Sequence, residues 1–327
     1  MPSTMTHAYF ALDVYDRLDK DSQKRLSKNK EALKTFSQGS DILYFYNDVS
    51  LRKAKRLRQL GHIVHHQHSK AFFINLIKYI KENKLEKKGE VIAFLYGNIA
   101  HYVLDTTIHP YIFYKTGVFN KKDRYSYRYN GLHTEMESYI DAYMIYTKEG
   151  VKPKDFKVHQ YCFNIDTFSK PLVNTINYVF KETFDQNNLA NIYLKAIQQM
   201  KLFFRLFKYD PYGIKKFIYR LIDKISPKSF TRKEPISYYI FPKEKLYYLN
   251  LDKNTWYHPV EINETSNASF IELYRISINK ALAIIEQVNT VLYENKNIEI
   301  LDDVFSDLSY VTGRPCDERQ RLQYFEF

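Results

Sequence analysis

The sequence is poor in residues that interrupt or cross-link a chain. Its 327 residues include only 9 glycines, 10 prolines and 2 cysteines. Few turn formers, together with long stretches rich in leucine, isoleucine, lysine and glutamate, favour a mostly α-helical protein. The two thiols, Cys162 and Cys316, are too few for a disulfide framework or a thiolate zinc site. Any bound metal would therefore be held by histidine, aspartate and glutamate.

Long apolar runs and targeting signals are also missing. No stretch approaches the roughly 18 apolar residues that a membrane-spanning helix needs. The first residues show neither the basic start nor the apolar core of a secretory signal. These absences predict a cytoplasmic protein. The formal net charge of +12 favours polyanionic partners, such as phosphates on a membrane surface, nucleotides or nucleic acid.

Hydrophobic periodicity predicts helices along most of the chain. They cover residues 6–18, 21–36, 62–83, 89–108, 131–146, 165–184, 189–207, 212–225 and 269–293. The segment 89–108 is the most apolar and should be buried almost all round. Pro110 should end it, because the residue before a proline avoids the α region. With neither a repeat nor a low-complexity linker, we expect one helical domain over residues 1–327.

Histidine is distributed unevenly, with eight of the ten in the first 133 residues. His101, Asp105 and His109 recur every four residues and so line one face of the apolar helix. A carboxylate there is costly unless it is paired or bound to metal. His133 and Glu137 repeat the spacing on the next helix. Because zinc binds imidazole nitrogen and carboxylate oxygen, two such helices facing each other would form a zinc site.

The alternative is a set of ordinary core residues. A single histidine on an apolar helix is more often a hydrogen-bonded core residue than a ligand, and one histidine–carboxylate pair at this spacing arises by chance. Three consecutive members plus a second pair favour the metal site. Four more histidines lie close together, and periodicity does not show which of them reach the cluster: His62, His65, His66 and His68.

Other metal and phosphate sites lack their motifs. The sequence has no His-Glu-x-x-His of zincin proteases and no Glu-x-x-His of di-iron bundles. It also has no His-Asp doublet and no glycine-rich loop for nucleotide phosphates. The remaining class is a metal site built from histidine and carboxylate on several helices.

The order and spacing of the motifs resemble the bacterial zinc-dependent phospholipase C family. This family is related to secreted phospholipases C and to single-strand-specific zinc nucleases. The resembling strings are Met-Pro-Ser-x-x-Thr-His7, Gly39-Ser40-Asp41, Gly61-x-x-x-His65, His101-x-x-x-Asp105-x-x-x-His109-Pro110 and His133-x-x-x-Glu137. They span roughly the first 145 residues.

The resemblance implies an all-α bundle of many helices around a cluster of two zinc ions, and up to three. It places the metal-binding core over residues 1–146 and a C-terminal helical extension over 150–327. The implied ligands of the first zinc ion are two carboxylates and two imidazoles, Asp41, His65, His101 and Asp105. Those of the second are His109, His133 and Glu137. Asp105 would bridge to a third zinc ion bound by His7 and by the chain's own N-terminus, at Met1 or Pro2.

The resemblance also implies a phosphodiester hydrolase in which metal-activated hydroxide attacks phosphorus, with Asp41 as the candidate base. A lipid or nucleotide phosphodiester would be the substrate, with transient contact to an anionic membrane surface. One alternative is a zinc nuclease, in which Tyr125, Tyr127 and Tyr129 of a basic loop would stack on bases. The other is a non-catalytic metalloprotein that keeps the helical shell. The oligomeric state is left open.

Overall fold

The computed structural model describes residues 4–240, 243, 245–318 and 321–326. It is 66% helical, which confirms the predicted all-α class. The helices are α1 (Thr4–Tyr15), α2 (Lys20–Leu26), α3 (Lys30–Phe36), α4 (Leu51–His66), α5 (Ser69–Glu82), α6 (Gly89–Thr116), α7 (Leu132–Glu149), α8 (Val158–Cys162), α9 (Lys170–Phe184), α10 (Leu189–Phe203), α11 (Ile214–Ile225) and α12 (Phe270–Tyr293). Two short antiparallel strands, β1 (Trp256–Tyr257) and β2 (Thr265–Ser266), pair before α12.

Helix α6 is the central element, and α1, α3, α7 and α12 all pack along it. Its close contact with α3 depends on Gly97, because a Cβ there would lie 2.7 Å from the Phe36 carbonyl carbon. Phe36 and Phe94 pack edge to face beside this contact. Every residue from Val91 to Asp105 is buried, as the apolar composition predicts.

The predicted end of α6 at Pro110 is wrong, because the helix continues to Thr116. A proline inside a helix removes one hydrogen bond and costs about 3 kcal/mol. Here burial along 28 residues outweighs that cost. The Thr106 carbonyl, which Pro110 cannot bond, is approached by Gly313, where a Cβ would lie only 2.2 Å from the oxygen.

The single helix predicted over residues 62–83 is also wrong. Gly61 lies inside α4, and the chain turns at His68, whose φ of 62° is left-handed. The Asp307 carboxylate accepts hydrogen bonds from the backbone N–H groups of His68 and Ser69, at 3.3 and 2.6 Å. A side chain almost 240 residues away in sequence therefore stabilises the start of α5, which local periodicity cannot reveal.

The C-terminal residues pack onto the N-terminal helices. Tyr193 on α10 donates a hydrogen bond to the Gly39 carbonyl at 2.6 Å, and Thr35 on α3 donates one to the Cys162 carbonyl at 2.7 Å. The division into a core over 1–146 and an extension over 150–327 stays a prediction. Within the described residues, no helix has both the length and the apolarity to cross a membrane.

Candidate metal centre

The eight side chains predicted as ligands converge at the centre of the helical bundle. His7 comes from α1, Asp41 from the 3-10 helix Gly39–Phe45, and His65 from the last turn of α4. The others come from α6 and α7. Their ligand atoms form three groups, each within 4.8 Å: His7, His101 and Asp105; Asp41, His65 and His101; and His109, His133 and Glu137.

Asp105 lies between the groups. Its Oδ1 is 3.2 Å from His7 Nε2 and 3.7 Å from His109 Nε2. Its Oδ2 is 3.4 Å from His101 Nε2 and 4.0 Å from His65 Nε2. One carboxylate is therefore shared among four imidazoles, an arrangement that suits a ligand bridging metal ions.

The two flanking pairs are compact. His65 Nε2 lies 2.9 Å from Asp41 Oδ1, and His133 Nε2 lies 3.0 Å from Glu137 Oε1. His109 Nε2 is 3.8 Å from the same Glu137 oxygen. Every ring thus presents Nε2 to a carboxylate.

Backbone carbonyl groups hold three of the rings in this orientation. Nδ1 of His65 lies 2.7 Å from the Gly61 carbonyl, and Nδ1 of His101 lies 3.2 Å from the Ser37 carbonyl. Because a carbonyl only accepts, each Nδ1 must donate, which leaves Nε2 available for a metal ion. This is the arrangement typical of metal-binding histidines.

The third of these carbonyl groups belongs to Tyr310. It lies 2.8 Å from His109 Nδ1, and the Tyr310 N–H donates to the His65 carbonyl at 2.9 Å. The Tyr310 ring packs against the rings of His65 and His101, with centroids 5.1 and 5.6 Å away. The end of the chain thus orients three histidines, although nothing in the local sequence around Tyr310 indicates it.

The residues present fit a metal ion. Asp41 Oδ2, Asp105 Oδ2 and His101 Nε2 are buried and have no hydrogen-bond partner of normal geometry within the part of the chain that the structure describes. Buried polar atoms are rarely left so, because losing water without a replacement partner is costly. Zinc ions and the water that they bind would satisfy all three.

The electrostatics favour an ionised Asp105. Burial alone would raise the pKa of Asp105, but the imidazoles of His109, His101 and His7 outweigh it and hold that pKa below its ordinary value. Burial lowers the pKa of His101 to about 4, so this ring is neutral at pH 7. Burial opposes protonation of His109 as well, but Asp105 and Glu137 raise its pKa to about 9. A metal ion would displace that proton.

Gly39 allows His101 to occupy its position. Its φ is +52°, and a Cβ would lie 2.2 Å from His101 Cδ2, closer than any real contact. The next two residues, Ser40 and Asp41, then enter the cluster, and Ser40 Oγ lies 3.2 Å from His65 Nδ1. The Gly-Ser-Asp string of the sequence thus combines a turn, a hydrogen bond and a carboxylate.

Sequence reasoning missed Asp141, which is fully buried on α7. Its Oδ1 accepts hydrogen bonds from the Thr6 N–H at 2.9 Å and the Thr6 hydroxyl at 3.0 Å, and its Oδ2 accepts one from the Tyr238 hydroxyl at 2.5 Å. It therefore fixes the start of α1 one residue before His7. Burial raises the pKa of Asp141. The spacing His133, Glu137, Asp141 carried a signal, because it repeats the four-residue interval of α6.

The remaining histidines of the predicted quartet lie outside the three groups. The rings of His62 and His66 pack against each other, with centroids 4.3 Å apart. His68 occupies the turn between α4 and α5. The other ligand expected for the third zinc ion, the N-terminus at Met1 or Pro2, lies outside the described residues.

Most of the cluster is closed to solvent. His133 has the most exposed side chain of the eight, at 23%, followed by His109 at 10%. The accessible edge of the site therefore lies at the start of α7.

Comparison with known families gives one match. The family model of zinc-dependent phospholipase C matches residues 6–187, more than half of the chain. The chain belongs to the zinc-dependent phospholipase C family. Neither a curated protein nor a solved structure matches it.

Family membership shows a phospholipase C-like hydrolase and implies zinc and a phosphodiester substrate. The matched region contains all eight predicted ligands and ends between α9 and α10. Tyr310 and Tyr238, which orient parts of the site, lie beyond it.

Proposed function

We propose that the protein is a phosphodiesterase of the phospholipase C type whose reaction takes place at the cluster around Asp105. The observation that carries the proposal is the sharing of this one buried carboxylate by four imidazoles. Its own Oδ2 and two atoms beside it, Asp41 Oδ2 and His101 Nε2, lack hydrogen-bond partners in the described chain.

Asp41, His65, His101 and Asp105 would hold one zinc ion, and His109, His133 and Glu137 would hold a second. When bound, zinc polarises phosphoryl oxygens and lowers the pKa of water towards neutrality. His7, whose Nε2 lies 3.2 Å from Asp105 Oδ1, would hold a third zinc ion together with Asp105.

Asp41 is our candidate for the base. Its two oxygens have different surroundings: Oδ1 lies 2.9 Å from His65 Nε2, whereas Oδ2 has no hydrogen-bond partner among the described residues. Oδ2 would accept the proton of the attacking water. Oδ1, which lies beside His65 Nε2, would be the metal-binding oxygen of Asp41 and would keep the carboxylate in place during the proton transfer.

The tyrosines considered for base stacking do not form a platform. Tyr125 is 89% exposed, but Tyr129 is buried and packs against Phe325. Tyr127 donates its hydroxyl to the Lys121 carbonyl. Stacking of successive bases needs several accessible rings, so we propose a phospholipid-like phosphodiester rather than a nucleic acid as substrate.

The purified protein should contain zinc and hydrolyse bis(p-nitrophenyl) phosphate and phosphatidylcholine faster than single-stranded DNA. Metal analysis and the three assays test this. A fully folded protein without zinc and without phosphodiesterase activity would contradict the proposal, and preference for DNA would favour the nuclease.

Asp41→Asn tests the base. We expect kcat to fall by about 10²–10⁴-fold with zinc content retained, because the amide keeps one oxygen ligand but cannot take a proton. His62→Gln, outside the three groups, is the matched control and should keep its activity. If zinc and activity are lost together in Asp41→Asn, the carboxylate is a ligand only.

A further inference from the structure

Helix α11 presents its apolar side to solvent. None of its 12 residues is buried. Its apolar side chains recur at intervals of three and four residues and so share one face. They are between 39% and 85% exposed: Ile214, Phe217, Ile218, Leu221, Ile222 and Ile225. A surface helix normally turns such a face towards the core, so the orientation here is reversed.

The polar side of α11 attaches the helix to the protein. The Asp210 carboxylate accepts a hydrogen bond from the Lys216 N–H at 2.8 Å, and the Lys216 ammonium donates to the Tyr239 carbonyl at 3.0 Å. At the other end, the Asp223 carboxylate accepts from the Lys233 N–H at 2.8 Å. Contacts at both ends fix which side faces outwards, so the exposure of the apolar face is built into the fold.

Further apolar side chains are exposed beside the helix. Leu206 and Phe207 precede it and are 48% and 47% exposed, and Phe230 follows it at 62%. The Tyr219 hydroxyl of α11 donates to the Phe207 carbonyl at 3.2 Å, which joins the two segments. We call α11 with Leu206, Phe207 and Phe230 the apolar surface. Single exposed apolar residues are ordinary, but six of them along one helix face, with more on the adjoining segments, indicate a binding surface.

The charge around this surface is strongly positive. Residues 201–240 contain ten lysines and arginines and three acidic residues, a net +7 of the +12 of the whole chain. Exposed Lys224 lies on α11, and exposed Lys228 follows it. A nucleic acid would match the charge but leave the apolar face in water. A second copy would bring two positive surfaces together. An anionic bilayer satisfies both features, because headgroups pair with lysine and arginine while apolar side chains enter the acyl boundary.

The apolar surface is connected to the accessible edge of the metal centre. The Asn130 side chain donates to the Phe230 carbonyl at 2.7 Å and accepts from the Arg232 N–H at 3.0 Å. Asn130 lies three residues before His133, the most exposed of the eight predicted ligands. A bilayer on the apolar surface would therefore lie near the side from which the site is reached.

We propose that the apolar surface docks the protein on an anionic lipid bilayer. The surface lies outside residues 6–187, the region that matches the family. Docking needs neither zinc nor hydrolysis, so it can be tested apart from the proposed function.

Vesicle co-sedimentation of the full chain is the test. The protein should bind vesicles of phosphatidylcholine mixed with phosphatidylglycerol more strongly than vesicles of phosphatidylcholine alone, and added salt should weaken the binding. The variant Phe217→Gln/Leu221→Gln should bind the mixed vesicles at least about tenfold more weakly than the unaltered protein. Its fold should survive, since both side chains are exposed. The matched control is Val49→Gln/Leu51→Gln, which removes two exposed apolar side chains elsewhere and should bind as the unaltered protein does.

A second pair of variants tests the charge. Lys224→Glu/Lys228→Glu should weaken binding to the anionic vesicles, whereas Lys87→Glu/Lys88→Glu, with the same net charge and also at exposed positions, should not. Hydrolysis of soluble bis(p-nitrophenyl) phosphate should be unchanged in all four variants, which separates a failure of docking from a failure of the proposed function.

Three results would overturn the proposal. One is vesicle binding that is unaffected by Phe217→Gln/Leu221→Gln. Another is an unaltered protein that does not bind vesicles but forms a dimer in sedimentation equilibrium, while the Phe217→Gln/Leu221→Gln variant is a monomer. That result would assign the surface to a second copy of the chain. The third is binding of single-stranded DNA, but not of vesicles, through the same residues.

Discussion

At the scale of single residues, buried carboxylates organise this protein. Asp105 has a relative exposure of 2%, Asp41 of 1% and Asp141 of 0%. The first two have oxygens without hydrogen-bond partners in the described chain, which suits metal ligands. Asp141 differs, because both of its oxygens accept hydrogen bonds from Thr6 or Tyr238. Similar burial thus serves metal binding in one case and positioning in the other.

Replacing Asp141 by alanine should destabilise the protein by about 2–4 kcal/mol, because it leaves the Thr6 N–H and the Tyr238 hydroxyl buried without a partner. Urea denaturation measures the loss. Zinc content should also fall, since Thr6 precedes His7. Tyr238→Phe, which removes one donor but keeps the carboxylate bonded to Thr6, should cost only about 1 kcal/mol. Equal stability of Asp141→Ala and the unaltered protein would show that Asp141 does not position α1.

At the scale of secondary-structure elements, the metal centre depends on how the helices pack against segments that are distant in sequence. The four-residue spacing on α6 and α7 was sufficient to predict two lines of ligands. It could not predict that α6 continues through Pro110, because the compensation comes from burial against elements distant in sequence. Nor could it predict the break at His68, where the cap is Asp307.

Gly39 offers a test at this scale. Gly39→Ala should cost about 3 kcal/mol or more and reduce zinc content, because the new Cβ would lie 2.2 Å from His101 Cδ2 at a left-handed φ. Gly150→Ala is the matched control, since its φ is also positive, at +69°, but nothing lies within 4 Å of a Cβ there. We expect it to cost about 1 kcal/mol from backbone strain alone. Thermal unfolding measures the stability of both variants, and metal analysis measures their zinc content. Similar losses of stability and zinc in the two would show that contact with His101 is unimportant.

At the scale of the whole molecule, bound zinc should stabilise the folded protein against unfolding. Removal of the metal by a chelator leaves the buried oxygens of Asp41 and Asp105 without ligands to satisfy them. We expect Tm to fall by roughly 5–10 °C. A ligand at a free concentration about a thousand times its Kd adds about 4 kcal/mol to the free energy of unfolding. Calorimetry before and after chelation measures this. Added zinc should restore Tm and added magnesium should not, since magnesium prefers oxygen ligands; an unchanged Tm would argue against a structural contribution of the metal.

The cytoplasmic location and the number of zinc ions stay predictions at this scale. Zinc counting on the intact chain would resolve the second, including the site at His7. The N-terminus expected to complete that site lies outside the described residues.

The sequence by itself determined the helical class, the family and the candidate ligands, because four-residue spacing within a helix is a local property that composition and order record directly. Periodicity left open which histidine at 62–68 faces the cluster, and the tertiary structure places His65 there, as the resemblance implied. Only the tertiary structure decided that the Tyr310 backbone and Asp141 orient ligands more than a hundred residues away. It also decided that α11 turns its apolar face outwards. An amphipathic pattern predicts that a helix has two faces, but the direction of each depends on distant hydrogen-bond partners such as Asp210 and Tyr239.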